Sequence, residues 1–241
     1  MSDFRTNPMQ NQASAGVVID EGLRAYMLRV YNLMMLGLAI TGAVAWGVST
    51  YAMSNEAAFT FLYLSPFRWV MILAPLALVF FLGFRINSMS VSAAQTTFWV
   101  YAGLVGASLS TIFFVYTQAS IVQTFFITAA AFGALSLYGY TTRRDLSGMG
   151  TFMVMGLFGL IIASLVNLFL RSPGLEWALS IIGVIVFSGL TAWDTQKIKE
   201  MYFEGDDEAT GGRKAIMGAL NLYLDFINLF MFLLRFMGNR E

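Results

Sequence analysis

The chain has 241 residues, of which 58% are hydrophobic and only 12% are charged. Soluble domains carry about 25% charged residues, so this composition excludes a water-soluble globular protein and is typical of a single integral membrane domain. The 14 basic residues balance the 14 acidic ones, which argues against nucleic acid as a partner, because that class of protein needs an excess of positive charge.

The N-terminal residues 1–27 are polar and lack the apolar stretch of a signal peptide. We predict a cytoplasmic tail there, followed by one transmembrane domain over residues 28–237. A membrane-crossing helix needs roughly 20 mostly apolar residues. Runs of that kind predict seven spans, at residues 30–55, 69–84, 95–116, 120–140, 146–170, 175–194 and 215–237. A short charged link, residues 195–214, joins the last two.

The distribution of basic residues predicts the orientation of the chain. With the N-terminus inside, the inner segments hold ten Lys and Arg residues and the outer segments hold four. Cytoplasmic loops are enriched in Lys and Arg, so we expect a cytoplasmic N-terminus and an external C-terminus. The bacterial inner membrane is the simplest location for such a chain.

The seventh predicted span carries an acid in its middle. Asn221, Asp225 and Asn228 are spaced by four and three residues, so they share one face of a helix. A polar stripe on an otherwise apolar helix must face protein or water rather than lipid. Ionisable residues inside a membrane are expensive and usually mark function, so the stripe predicts a functional helix at the centre of the bundle.

A second acid, Asp194, ends the sixth predicted span. Thr191 lies one turn before it and is a candidate hydrogen-bond donor to its carboxyl group. Asp194 is alternatively an interfacial acid that pairs locally with Lys197. Asp225 has no basic residue within a helical turn, so its partner must come from another helix, and the candidates are Asp194, Arg85 and asparagine side chains.

Two acids on consecutive spans can share a proton. The chain contains no cysteine and no histidine, which excludes disulfides, a histidine-ligated zinc site and a histidine proton switch. Two carboxylates in a medium of low dielectric constant resist double ionisation, so Asp194 and Asp225 are expected to take up and release one proton in coupled steps. Their oxygens also suit calcium, which we expect as a transported or transiently bound ion rather than a cofactor.

Three stretches resemble the transmembrane Bax-inhibitor-motif family in its bacterial branch. They begin at Arg144, Phe187 and Leu220, and they read RDLSGM, FSGLTAWDTQKIK and LNLYLDFINLF. The last two are specific, because each places an acid inside a long matched context. The resemblance covers nearly everything after the N-terminal tail.

The resemblance implies a fold of seven helices, with two three-helix layers around the C-terminal helix. It implies a pH-sensitive calcium leak in which the aspartate pair, here Asp194 and Asp225, is the sensor. A basic residue at the inner end of the second helix is a latch on that pair in some members, and Arg85 matches it by position. Other bacterial members are linked to the regulation of a membrane-bound protease, which implies a protein partner.

Three other functions compete with the leak channel. An intramembrane aspartyl protease also uses two aspartates on consecutive helices, but the residues before Asp225 lack the glycines of the Gly-x-Gly-Asp motif. A metal-dependent hydrolase lacks histidine ligands. A scaffold that binds other membrane proteins would use the acidic loop at residues 200–208. We favour a channel and expect no enzymatic activity.

Overall fold

The computed structural model describes residues 8–240, with side chains from Glu21 onward. Within that range every regular element is helical, and one isolated antiparallel bridge joins Tyr116 to Arg240. Seven of these helices are long and apolar enough to cross a membrane, which confirms the predicted all-α fold with seven membrane-spanning helices.

The eight α-helices are α1 (Pro8–Ser54), α2 (Glu56–Phe59), α3 (Phe67–Arg85), α4 (Val91–Leu109), α5 (Gln118–Thr141), α6 (Ser147–Leu170), α7 (Pro173–Glu200) and α8 (Glu208–Met237). A π-helical turn follows α2 at Thr60–Leu64, and 3-10 turns follow α3 and α4 at Ile86–Ser88 and Ser110–Phe114. All but the short α2 are spans.

The predicted link between the last two spans is wrong in its length. Helix α7 continues to Glu200 and α8 begins at Glu208, so only residues 201–207 lie outside the two helices. The apolar run ends before the helix does, because charged residues can extend a helix beyond the hydrocarbon layer. Asp194 is consequently six residues inside α7 rather than at its end.

The predicted tail overlaps the first helix. Residues 1–7 lie outside the described residues, and α1 begins at Pro8 and continues without a break into the first span. The first predicted span, residues 30–55, therefore forms the C-terminal part of a longer helix.

Helix α8 contacts four other membrane-spanning helices. It packs against α1, α4, α5 and α7, while α3 packs against α4 and α6 packs against α7. Many of its side chains are almost fully buried, including Ile216, Leu222, Tyr223 and Leu229. The polar stripe on α8 therefore lies in a helix surrounded by protein, as the sequence indicates. The two-layer arrangement implied by the resemblance stays a prediction.

Glycines allow two pairs of helices to approach closely. A Cβ atom at Gly106 of α4 would lie 2.5 Å from the carbonyl oxygen of Thr41 in α1, and a Cβ atom at Gly139 of α5 would collide with the carbonyl group of Ala192 in α7. Small residues at such positions let helix backbones touch in a membrane. The α5–α7 contact holds the part of α7 that carries Asp194.

The outer surface of the spans is apolar. Phe84 and Phe169 are each 84% exposed, and large apolar side chains are exposed along the other spans as well. Apolar patches of this size do not occur on soluble monomers. This surface is suited to contact with lipid acyl chains.

Candidate functional site

Asp225 is buried in the interior of the helix bundle. Its side chain is 4% exposed, and one carboxylate oxygen, Oδ2, is buried without a hydrogen-bond donor among the described residues. It follows the first residue of α8 by 17 positions, which is about 26 Å along the helix axis. Neighbouring Leu222, Phe226 and Leu229 are apolar and buried, so the adjacent turns of α8 supply no charge to neutralise the acid.

Asp194 approaches Asp225 from the adjacent helix. It lies on α7, which packs closely against α8, and its side chain is half-buried. The carboxyl groups of Asp194 and Asp225 lie next to each other across the α7–α8 interface, close enough to interact. The structure therefore brings together the two acids singled out in the sequence.

The closeness of the two acids has a chemical consequence. An ionised carboxylate only accepts hydrogen bonds, whereas a protonated carboxyl group can donate one. Two ionised groups would leave Oδ2 of Asp225 without a donor and would repel each other in a medium of low dielectric constant. One proton shared between the two groups removes both problems, and the resulting O–H···O⁻ bond belongs to the strong class.

Lys197 is the basic residue nearest to Asp194 along α7. It lies three residues further along the helix and is exposed. Lys197 forms no ion pair within 4.0 Å with either aspartate in the described chain; its ammonium group lies 5.0 Å from the ring centre of Trp193. Within the pair, Asp194 is thus half-buried and lies towards Lys197, whereas Asp225 is buried.

Arg85 does not contact the aspartate pair in this structure. It is the last residue of α3, its side chain is exposed, and it forms no ion pair in the described range. The 3-10 turn that follows it, Ile86–Ser88, does pack against α8. The role of Arg85 as a latch stays a prediction.

The prediction that Thr191 donates to Asp194 is wrong. Thr191 is fully buried, and its hydroxyl group donates to the carbonyl oxygen of Phe187 at 2.7 Å. Threonine in an apolar helix often bonds to the carbonyl group four residues earlier, because that acceptor is always within reach. Thr191 therefore lies one turn from Asp194 on α7 but forms no hydrogen bond with its carboxyl group.

The two asparagines of the polar stripe are half-buried. The side-chain amide of Asn228 donates to the carbonyl oxygen of Leu224 at 2.8 Å, and Asn221 makes no side-chain hydrogen bond with a described residue. Neither amide touches the carboxyl group of Asp225. The stripe shares one helix face, but the structure gives its asparagines no contact with the acid.

A chain of hydrogen-bonded hydroxyl groups lies beside Asp194, and the sequence analysis did not predict it. The hydroxyl of Thr195 donates to the carbonyl oxygen of Thr191 at 2.8 Å and lies 3.0 Å from that of Ser136, which in turn lies 2.6 Å from the hydroxyl of Tyr31. These bonds join α1, α5 and α7 at the turn that carries Asp194. A single hydroxyl in an apolar span has no periodic pattern, so only its position beside Asp194 could have indicated Thr195.

The acids do not form a larger cluster. Among the described residues no group of three or more acidic, histidine or cysteine side chains converges on a common point. Calcium takes six to eight oxygen ligands, so the pair alone is too small for a closed site. Backbone carbonyl groups and water would have to complete any coordination of a passing ion.

Comparison with known proteins identifies the family. A family profile described as "Inhibitor of apoptosis-promoting Bax1" matches residues 23–241. The chain belongs to the Bax inhibitor-1 family. The two apolar helices with the matched acidic motifs, α7 and α8, both lie within this region.

Bacterial members of the Bax inhibitor-1 family are similar over nearly their whole length. An uncharacterised protein of Rickettsia prowazekii is 53% identical over 230 residues, with 95% of each chain covered. The inner membrane protein YbhL of Escherichia coli K12 is 50% identical over 223 residues, which is 91% of this chain and 94% of that protein. An uncharacterised membrane protein of Streptococcus pyogenes is 35% identical over 222 residues, covering 92% and 96%. The protein is therefore a Bax inhibitor-1 family membrane protein.

Proposed function

We propose that this protein is a pH-regulated leak channel for cations, with calcium as the transported ion, and that Asp194 and Asp225 are its proton sensor. The single observation that supports this most is the placement of the two carboxyl groups next to each other in the α7–α8 interface, where Asp225 is buried and its Oδ2 has no hydrogen-bond donor among the described residues. A hydrogen bond between the two groups requires at least one proton on the pair. The contact between the two helices is then linked to the proton concentration.

The physical basis is a two-state element biased by protons. With the shared proton in place, the pair bridges α7 and α8. Without it, two negative charges face each other in a poorly screened interior, and the packing of α7 against α8 must change or a cation must approach. Calcium itself or the guanidinium group of Arg85 would supply that cation.

The family and the chain both support a membrane location. We propose the bacterial inner membrane, because the Escherichia coli relative is named as an inner membrane protein. The excess of basic residues in the segments assigned to the inside supports a cytoplasmic N-terminus and an external C-terminus. In that orientation, the loop at residues 201–207 is cytoplasmic.

The experiment is calcium flux into liposomes that contain the purified protein, measured across a pH series. Wild-type protein is expected to pass calcium at a rate that changes with pH. Asp225→Asn and Asp194→Asn are each expected to remove this change, because an amide can replace the hydrogen bond but cannot lose the proton at these pH values.

The matched control is Glu204→Gln, which neutralises an exposed acid in the loop between α7 and α8. It should leave both the rate and its pH profile intact. An Asp225→Asn protein with the wild-type rate and the wild-type pH profile would refute the sensor. Protein that passes no calcium at any pH would refute the channel.

A second candidate is a regulator that binds a membrane protease or another membrane protein. The loop at residues 201–207 supports it, because Phe203 is 65% exposed beside the exposed acid Glu204. Co-purification of such a partner, lost on Phe203→Ala with Glu204→Gln but retained with Asp225→Asn, would favour this role. Cleavage of a transmembrane substrate that Asp194→Ala abolishes would instead favour the aspartyl protease.

A further inference from the structure

A lateral groove opens between α1 and α5 toward the lipid. Its volume is about 680 Å³, and Phe226 of α8 forms part of its base. It is lined on α1 from Arg24 to Leu38 and on α5 from Tyr140 back to Phe125. The two helices run in opposite directions, so Arg24 and Tyr140 mark the same end of the groove.

The wall of the groove is apolar for most of its length. Leu28, Met35 and Leu137 line it and are each more than half exposed. Fourteen residues separate Arg24 from Leu38, which is about 21 Å along a helix. One leaflet of the hydrocarbon core is about 15 Å thick, so the groove is long enough to accept one acyl chain from a single leaflet.

The end of the groove marked by Arg24 and Tyr140 is cationic. Arg24 is exposed and lines the groove itself. Lys199 of α7 donates a hydrogen bond to the carbonyl oxygen of Tyr140 at 2.9 Å, and its ammonium group lies 5.4 Å from the centre of the Tyr140 ring. Two cations at one end of an apolar groove match the shape and charge of an anionic phospholipid.

We infer that this groove binds one anionic phospholipid, with an acyl chain between α1 and α5 and the phosphate group at Arg24 and Lys199. The hydroxyl groups of Tyr31 and Ser136 also line the groove, 2.6 Å apart and bonded to each other. They leave the deeper wall without free polar groups, which suits a hydrocarbon chain. This inference does not depend on the proposed ion leak.

The first test is competition between lipids, read by native mass spectrometry of the intact protein. Phosphatidylglycerol and phosphatidylcholine with identical acyl chains are offered in equal amounts, and the lipid retained on the protein is identified. Each basic group near an anionic headgroup contributes roughly a fivefold preference. Wild-type protein should therefore retain one phosphatidylglycerol with a preference of about 25-fold.

Arg24→Gln and Lys199→Gln should each lower this preference about fivefold, because each removes one cation from the headgroup site. Arg68→Gln, an exposed arginine at the first turn of α3, should not change it. Equal retention of the two lipids by wild-type protein would overturn the inference.

Gly133→Leu tests the groove itself. Gly133 lines the groove and has no atom within 4 Å of the position of an added Cβ atom, so leucine should fill the groove without disturbing packing and should abolish retention. Gly159→Leu is the matched control, because Gly159 on α6 is equally open and exposed. If Gly133→Leu has the wild-type circular dichroism spectrum and still retains phosphatidylglycerol at the wild-type level, the anionic lipid binds around the protein without using the groove. That result would overturn the groove site. If Gly133→Leu does not fold, the arginine and lysine variants decide, because both change only the headgroup end.

Discussion

Asp225 is buried in the bundle with no cation within a helical turn on its own helix, and this fact governs its chemistry. An isolated ionised carboxylate in an apolar interior is so unfavourable that the group normally takes up a proton instead. Here the group beside the carboxyl group of Asp225 is the carboxyl group of another acid, Asp194. Proton sharing is the arrangement that satisfies both acids, and it makes their contact sensitive to pH in a way that a pair of amides would not be.

A buried hydrogen bond of Tyr223, two residues before Asp225, makes a testable contribution to stability. The hydroxyl of Tyr223 lies 2.6 Å from that of Thr41, which also lies 2.9 Å from the carbonyl oxygen of Ala102. Thr41 has one proton to donate, so Tyr223 donates to Thr41 and Thr41 to a carbonyl group. Tyr223→Phe should lower the free energy of unfolding by about 1 kcal/mol, measured by denaturant titration in micelles.

The matched control is Tyr138→Phe. Tyr138 is 48% exposed and faces the outside of α5, so loss of its hydroxyl should leave the unfolding curve unchanged. An unchanged curve for Tyr223→Phe as well would mean that the three-helix connection through Thr41 adds nothing to stability.

The acids of the site were predictable at the level of single residues, and their hydrogen-bond partners were not. Asp194 and Asp225 interrupt apolar runs, which is a strong signal in a membrane protein. The donor role assigned to Thr191 failed because the nearest backbone carbonyl group competes for the same proton. The contact of Thr195 with Ser136 depends on how α5 and α7 approach each other. This approach cannot be predicted from the sequence of either helix alone.

The start of α8 is set by a titratable cap. Asp207 precedes the helix and accepts a hydrogen bond from the backbone amide of Thr210 at 3.2 Å. Hydrogen bonds from Thr210, through its side chain and its backbone, lower the pKa of Asp207 below its ordinary value. A lowered pKa in the folded state means that the cap stabilises the helix above the unfolded value of about 3.9. The contribution is lost as the pH falls through the lower, folded value.

Hydrogen exchange checks this cap. At neutral pH, Asp207→Ala should exchange the amide of Thr210 faster than wild-type protein does, and the ratio of the two rates should become smaller in strong acid, because a protonated carboxyl group is a weaker acceptor than a carboxylate. Asp207→Asn keeps an acceptor that does not titrate, so it should protect this amide at every pH. A ratio that is the same at pH 7 and in strong acid would contradict the role of the carboxylate.

Helix α3 contains a proline whose missing hydrogen bond is replaced from α4. Pro75 has no backbone N–H, so the carbonyl group of Met71 loses its usual donor. The hydroxyl of Ser108 donates to that carbonyl group instead. Ser108→Ala should therefore lower the free energy of unfolding by about 1–3 kcal/mol, because a buried acceptor is left without a donor.

A double-mutant cycle isolates this replacement. Pro75→Ala restores an N–H in the right position of the helix, so Ser108→Ala should be nearly neutral in the Pro75→Ala background. Equal losses from Ser108→Ala in both backgrounds would show that the serine acts by packing and not through the carbonyl group of Met71.

The presence of the seven spans was predictable from hydropathy, whereas the residues at which they begin and end were not. Apolar runs of about 20 residues are required by the thickness of the bilayer, so all seven were found. The ends of a helix depend on caps and on how far charged residues extend it into water. That is why α7 exceeds its predicted end by six residues and α8 begins seven residues before its predicted start.

The proposed orientation of the whole chain can be tested by labelling. The sequence has no cysteine, so one introduced thiol gives an unambiguous signal. In intact bacterial cells, a membrane-impermeant maleimide should label Glu56→Cys, which lies between the first two spans, and should label Glu204→Cys only after the membrane is opened. Both positions are exposed in the structure. The reverse pattern would place the N-terminus outside.

The arrangement of the molecule was only partly accessible from the sequence. A polar stripe indicated that α8 faces protein, and α8 does pack against four other spans. The order in which the remaining helices pack was not predictable, because it depends on close approaches such as that of Gly139 to Ala192. Such contacts involve single small residues without a repeating pattern.

The packing of α8 against four other spans has a consequence for how the protein is made. Chains are synthesised from the N-terminus, so the ribosome releases this helix after the other six spans have entered the bilayer. Until then, the faces of α1, α4, α5 and α7 that pack against α8 can contact only lipid, water or one another. Asp194 meets Asp225 only when α8 has been translated and packs against α7.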